Sequence, residues 1–334
     1  MNRSLSYSKP RIALPVYQSL YSPPFPYKNG HIHTVLSYLL RNKKPLIYQR
    51  SILKTEDGDF LALDQLPKSN NRCTILVHGL EGSSESGYIS SLSGFLKEHK
   101  WDVAALNLRG CSGDDNFLFH AYHSGIIKDL DQVVDHIRLS YSQISIIGFS
   151  LGGNIVLKYL GFLGKQNLKG VICAAAVSVP CHLSSSSDKL QTWQNFIYNR
   201  RFITALKNKL KRKMDAFPGR ISQEVFDEIK TIRQFDNVYT GPANGFKDAE
   251  DYYTQCSSIY CLADIKIPTL LINAKDDPFL TEKCMPAKEA QENPFLHFYN
   301  PDFGGHVGFL SEKKGQPAAH ETWIKEFFDR YSDN

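Results

Sequence analysis

The chain has 334 residues, 42% of them hydrophobic, with 39 Lys and Arg against 34 Asp and Glu. That length can bury a large core and fits one α/β domain plus an insertion. A net charge of +5 is too modest to argue for nucleic acid, and no reader fold for it is seen. No segment approaches the roughly 18–20 apolar residues that span a bilayer, and residues 1–10 are polar rather than secretory in form. Seven cysteines, an odd number without CxxC spacing, lie mostly in apolar contexts such as Cys73 and Cys173. They read as reduced, packed thiols, so a cytoplasmic protein is expected.

Residues 1–45 read as an N-terminal extension packing on a core. Within it His31 and His33 form an H-x-H pair. No Cys/Asp cluster accompanies them, so no metal is expected there. The first part of the core, 46–180, opens with Tyr48 to Lys54 and Phe60 to Leu66 as an antiparallel hairpin. Cys73 to Val77 is a strand that runs into His78-Gly79-Leu80-Glu81-Gly82-Ser83. A helical stretch at Ser90–Glu98, a strand at Val103 and a helical stretch at Ile126–Ile137 follow. Between the last two, Arg109-Gly110-Cys111-Ser112-Gly113 holds the one cysteine to check for reactivity. A packed loop thiol is the reading we favour for it.

Gln143 to Ile147 is a short buried strand, and Asn154 to Leu160 is a helix with a broad apolar face. Between them stands Gly148-Phe149-Ser150-Leu151-Gly152. A strand turning this sharply into a helix strains its central residue, and glycines on both sides remove clashing side chains. Ser150 is left with its oxygen exposed at the C-terminal edge of the sheet, where the helix N-terminus favours negative charge. This is the arrangement of a nucleophile elbow. A serine is a weak nucleophile unless activated, so an acid and then a histidine should follow in the chain.

A strand at Val171–Val177 comes next, and then the rhythm breaks. Residues 181–257 start with Ser184-Ser185-Ser186-Ser187, continue with long helical patterns, and become aromatic and loop-like around Tyr239-Thr240-Gly241-Pro242. An insertion here should cap the site and shape an acyl pocket. Arg200, Arg201, Lys207, Lys209, Lys211, Arg212 and Lys213 crowd one helical stretch with Phe202, Ile203, Leu206 and Leu210. The functional reading is a surface helix that makes weak contact with anionic lipid; a solvated cap face is the reading favoured.

The second part of the core, 258–334, supplies the partners. Pro268 to Ala274 is a buried strand that ends in Lys275-Asp276-Asp277-Pro278. Asp277 is favoured as the acid because it precedes the apolar run Pro278-Phe279-Leu280; Asp276 would cap the turn or face solvent. After the strand-like Leu296 to Tyr299, Gly304-Gly305-His306-Val307-Gly308 carries the histidine. The backbone amides of Leu80 and Leu151 should form the oxyanion hole. His78 is expected to pack at its strand end and fix that loop rather than act as a second base.

These residues carry a family resemblance. The chain resembles the YheT-like branch of the α/β-hydrolases, a bacterial group related to eukaryotic abhydrolase-domain lipases. The resemblance spans roughly Tyr27 to the C-terminus. Its marks are Asn29-Gly30-His31-Ile32-His33-Thr34, Asp57-Gly58-Asp59, His78-Gly79-Leu80-Glu81-Gly82, Asn107 to Gly113, Tyr122-His123-Ser124-Gly125, Gly148 to Asn154, Asp276-Asp277-Pro278 and Gly304 to Phe309. It implies an α/β-hydrolase fold with a helical cap and a Ser150–Asp277–His306 triad. Many relatives begin the first motif with Asn-Pro and have Gln before Thr. Here Gly30 and His33 stand in those places, and the sequence alone gives that departure no weight.

The reading is a serine carboxylic ester hydrolase (EC 3.1.1.-) that works through an acyl-enzyme on small-molecule, short- to medium-chain acyl esters. No cofactor is expected. An acyltransferase or thioesterase would use the same triad, and a binding protein on a hydrolase scaffold is the alternative from another class.

Overall fold

Strands buried on both faces are continuous apolar runs, and such runs pair in parallel. The computed structural model describes residues 16–17, 21–41, 46–166, 168–311 and 315–332. Its strands are β1 (Val16–Tyr17), β2 (Gln49–Lys54), β3 (Phe60–Gln65), β4 (Arg72–Val77), β5 (Asp102–Asn107), β6 (Gln143–Phe149), β7 (Val171–Val177), β8 (Thr269–Ile272) and β9 (Leu296–Tyr299). They form one sheet in the order β1-β9-β8-β7-β6-β4-β5-β3-β2. β2 with β3, and β3 with β5, are antiparallel; every other pair is parallel. The chain steps from β4 to β5 on one side and returns to β6 on the other. In open α/β sheets ligands bind at such a reversal, outside the carboxyl ends of the strands.

Alternation along each strand builds two cores. Cys73, Ile75 and Val77 of β4 face one cluster and Leu76 faces the other. Thr74 and Ser145, paired across β4 and β6, are both fully buried and share a hydroxyl hydrogen bond of 2.8 Å. The helices are α1 (Gly30–Leu40), α2 (Gly87–Glu98), α3 (Ile127–Ile137) and α4 (Leu151–Leu163). Leu130, Val133 and Val134 of α3 and Val156, Leu157 and Leu160 of α4 cover one face. Ile89, Leu92 and Leu96 of α2 cover the other, with Ile324 and Phe328 of the helix Ala319–Phe328.

Two of the quoted motifs meet through Arg109. Its guanidinium holds Asp129 through two bonds of 2.8 and 2.7 Å and Asp57 at 2.7 Å. This pins the hairpin turn to the loop after β5. Between β7 and β8 the chain leaves the sheet for α5 (Leu183–Leu190), α6 (Phe196–Ala216) and shorter helical pieces as far as Cys256. The stretch expected to be loop-like is helical: a π-helical segment, Asp236–Thr240, runs into Gly241–Ala243, with Pro242 in the first turn where its missing N–H costs nothing.

Candidate active site

Ser150 sits between β6 and α4 with φ 52° and ψ −121°, a conformation that costs a non-glycine residue energy. The turn is so close to β4 that a Cβ on Gly152 would lie 2.3 Å from the His78 carbonyl oxygen. Ser150 Oγ is 2.9 Å from His306 Nε2. His306 Nδ1 is 2.9 Å from Asp277 Oδ2 and 3.2 Å from Oδ1. Asp277 is buried, and its Oδ1 also accepts the Phe279 amide at 2.9 Å. An ionised carboxylate only accepts, so Nδ1 carries the proton and Nε2 is left to accept from the serine hydroxyl.

Asp276 does not face solvent. Its Oδ1 accepts the Gly305 amide at 2.8 Å, and burial pushes its carboxyl up to about 6. It holds the glycine loop that carries His306, and does so together with α1. Asn29 caps α1 by accepting the His31 and Ile32 amides, each at 3.1 Å. Thr34 Oγ1 accepts the His306 amide at 2.8 Å, and His33 Nε2 accepts the Leu310 amide at 2.9 Å. Arg41 Nη2 donates to the carbonyls of Val307 and Gly308 at 2.7 and 2.6 Å. Val307 and Phe309 both have positive φ, so this strained loop needs such ties. A Cβ on Gly30 would lie 1.8 Å from the Asp276 carbonyl oxygen. Gly30 and His33 therefore do carry weight. His33 is committed to the loop while His31 stacks on Tyr198.

The loop after β4 is tied on both sides of Leu80. The Gly79 amide donates to Tyr88 Oη at 2.9 Å, and the Glu81 amide donates to Tyr122 Oη at 2.9 Å. Neither the Leu80 nor the Leu151 amide has an acceptor among the described residues. For Leu151 this follows from its place in the first turn of α4. His78 is fully buried, and its Nε2 accepts the Leu108 amide at 3.0 Å. Its proton is thus on Nδ1, which donates to the Gly79 carbonyl at 2.7 Å. Burial lowers its pKa to about 4, so it stays neutral and fixes the loop.

Residues 75–313 match the family model described as the alpha/beta hydrolase fold. The chain belongs to the α/β-hydrolase family. It is 33% identical over 307 residues to YheT of Escherichia coli (strain K12), covering 90% of this chain and 88% of that one, and so falls in the YheT-like branch. Mouse phospholipase ABHD3 is 30% identical over 308 residues, 89% of this chain and 74% of that one. A yeast protein named medium-chain fatty acid ethyl ester synthase/esterase 2 is 27% identical over 298 residues, 81% of this chain and 65% of that one. Among solved structures, Pyrococcus furiosus esterase Pf2001 superposes with a TM-score of 0.59 at 17% identity, over 86% of this chain and 94% of that one. That likeness is one of fold alone.

In this α/β-hydrolase the helices after β7 roof a cavity that Ser150, His306, Leu80 and Leu151 also line. Phe202, Leu206 and Leu210 of α6, with Ile232, Phe235 and Tyr239, give it an apolar wall. The cations of α6 do not all face solvent, as a solvated or lipid-facing helix would require. Lys209 is buried and pairs with Glu81 Oε1 at 2.7 Å, which ties the roof to the Leu80 loop. Lys213 is buried and donates to the carbonyls of Asn116 and Leu118. Arg212 pairs with Asp115 at 2.6 Å. Cys111 lies 3.3 Å from Lys209 Nζ, but burial outweighs that cation and pushes its thiol up to about 12, so it is not a reactive thiolate at neutral pH.

Asp236, also on the cavity wall, accepts from the Tyr253 hydroxyl at 2.7 Å, and burial raises its carboxyl to about 6. The folded chain holds this proton more tightly than the unfolded chain does. Stability should therefore fall as pH rises from about 4 to about 6, by on the order of 2–3 kcal/mol from this group. Asp236→Asn should remove that share of the slope. Its melting temperature should exceed that of the wild type at pH 8 and not at pH 4. An equal difference at both pH values would show that this carboxyl is not the titrating group.

Proposed function

We propose that the protein is a serine carboxylic ester hydrolase. The observation that carries this reading is the unbroken chain Asp277–His306–Ser150, whose serine opens into an apolar cavity. Ser150 Oγ attacks the ester carbonyl as His306 Nε2 takes its proton. Asp277 stabilises the imidazolium, and the Leu80 and Leu151 amides hold the oxyanion, a type of donor typically contributing about 3 kcal/mol to the transition state. His306 returns the proton to the leaving alcohol. A water then attacks the acyl-enzyme through the same histidine and frees Ser150.

The apolar wall supports acyl chains of short to medium length as substrates. A fluorophosphonate probe should label the folded wild type and not Ser150→Ala. Hydrolysis of p-nitrophenyl esters should run from acetate to octanoate and fade beyond. An unlabelled, folded wild type would leave a binding protein on this scaffold. Where an alcohol or thiol competes with water the same acyl-enzyme would transfer its acyl group, and the ratio of acid to transfer product reads that partition.

A further inference from the structure

A helix on a domain surface normally buries its apolar stripe. α1 does the reverse. Gly30, His33 and Ser37 are its buried residues, while Ile32, Val35, Tyr38, Leu39 and Leu40 are exposed, Tyr38 and Leu39 by 60% and 65%. His33 and Thr34 are spent on the His306 loop, and the apolar side stays exposed apart from the Arg201 guanidinium over the Tyr38 ring. A second exposed group stands at the start of α6, where Trp193, Phe196 and Ile197 are 82%, 61% and 78% exposed.

The two groups are neighbours. The Tyr198 ring stacks on His31 at 5.8 Å, and the Arg201 guanidinium lies 4.3 Å from the Tyr38 ring. Ile197 precedes Arg201 by four residues and so shares its side of α6. Charge follows the same surface. No Asp or Glu occurs in 27–41 or in 189–214, while Lys28, Arg200 and Arg201 are exposed. Lys209 and Lys213, which point inward, are not part of it. Contiguous apolar surface of this kind marks an interaction site. Aromatic and aliphatic side chains edged by arginine, on two stretches that carry no carboxylate of their own, complement an anionic lipid surface.

We propose that the outer stripe of α1 and the Trp193–Ile197 rim form one patch that docks on anionic bilayers. Tyr198 carries the patch inward: its ring lies 4.8 Å from Phe279, and the Phe279 ring lies 4.2 Å from His306. Docking sets the histidine side of the site toward the bilayer. Binding does not depend on the ester-hydrolase reading, and the test reads it without turnover.

Trp193 is the reporter, since Trp101 is buried and Trp323 partly so. The full chain is mixed with vesicles of phosphatidylcholine alone or with phosphatidylglycerol. The mixed vesicles should shift the tryptophan emission to the blue and bind at least about ten-fold more tightly than neutral ones, with salt weakening the difference. Val35→Ser with Leu39→Ser, and separately Phe196→Ser with Ile197→Ser, should each weaken binding by about ten-fold or more and leave hydrolysis of a soluble ester unchanged. No shift with either vesicle would overturn the proposal, as would a shift that both double variants retain. A dimer seen without vesicles and dissolved by the same substitutions would assign the patch to a second copy and overturn it equally.

Discussion

Asp277→Asn should lower kcat by about 10⁴, the scale of losing the acid's hold on the histidine tautomer in a comparable triad. An amide at this position can offer its NH₂ to Nδ1, and the ring then presents a protonated Nε2 to Ser150. Asp276→Asn should cost far less, because an amide oxygen still accepts the Gly305 amide that Asp276 Oδ1 now holds. Kinetics of both variants on a soluble ester, with melting temperatures to confirm that each is folded, decide the matter. A larger loss at 276 than at 277 would move the acid's role one residue back.

Gly30→Ala should damage both the fold and the chemistry. The added Cβ meets the Asp276 carbonyl oxygen at 1.8 Å and its carbonyl carbon at 2.8 Å, both backbone atoms of the turn that bears Asp277. Relief requires α1 or the acid turn to move, and overpacking of this kind costs about 1–3 kcal/mol or more. Since α1 also holds the His306 and Leu310 amides, kcat should fall with the melting temperature. Ile32→Ala, on the exposed side of the same helix, should change neither. A Gly30→Ala protein with wild-type melting temperature and kcat would show that α1 does not seat the acid turn.

The sheet strands after the opening hairpin are legible because they are short apolar runs between turn signals, and β7 spans the predicted Val171–Val177. The turn at Ser150 is legible because glycines and a change of period fall together there. The role of α1 is not. A hydrophobic pattern read along 30–40 would turn Ile32, Val35 and Leu39 inward, whereas His33 and Ser37 are the side chains that go in, His33 to accept the Leu310 amide far along the chain and Ser37 to donate to the Thr34 carbonyl of its own helix. Lys209 and Lys213 fail for a related reason. A lysine at helical spacing looks solvated until its partners, here Glu81 and the carbonyls of Asn116 and Leu118, are brought beside it by another part of the fold. The π-helical turn at Asp236–Thr240 has no periodic signature to find.

The hydrogen bond from the His306 amide to Thr34 joins residues 272 positions apart. Closing a loop of that length costs on the order of 5 kcal/mol of chain entropy. The β4–β6 pairing that holds the Ser150 turn bridges a shorter loop, Thr74 to Ser145, at about 1 kcal/mol less. Assembly should therefore be staged, with the central strands and their turn forming before the two distant ends meet over His306. In reverse, the ends are the first to part as local opening samples the least secured unit. Mild denaturant should then silence the protein while its sheet is still intact.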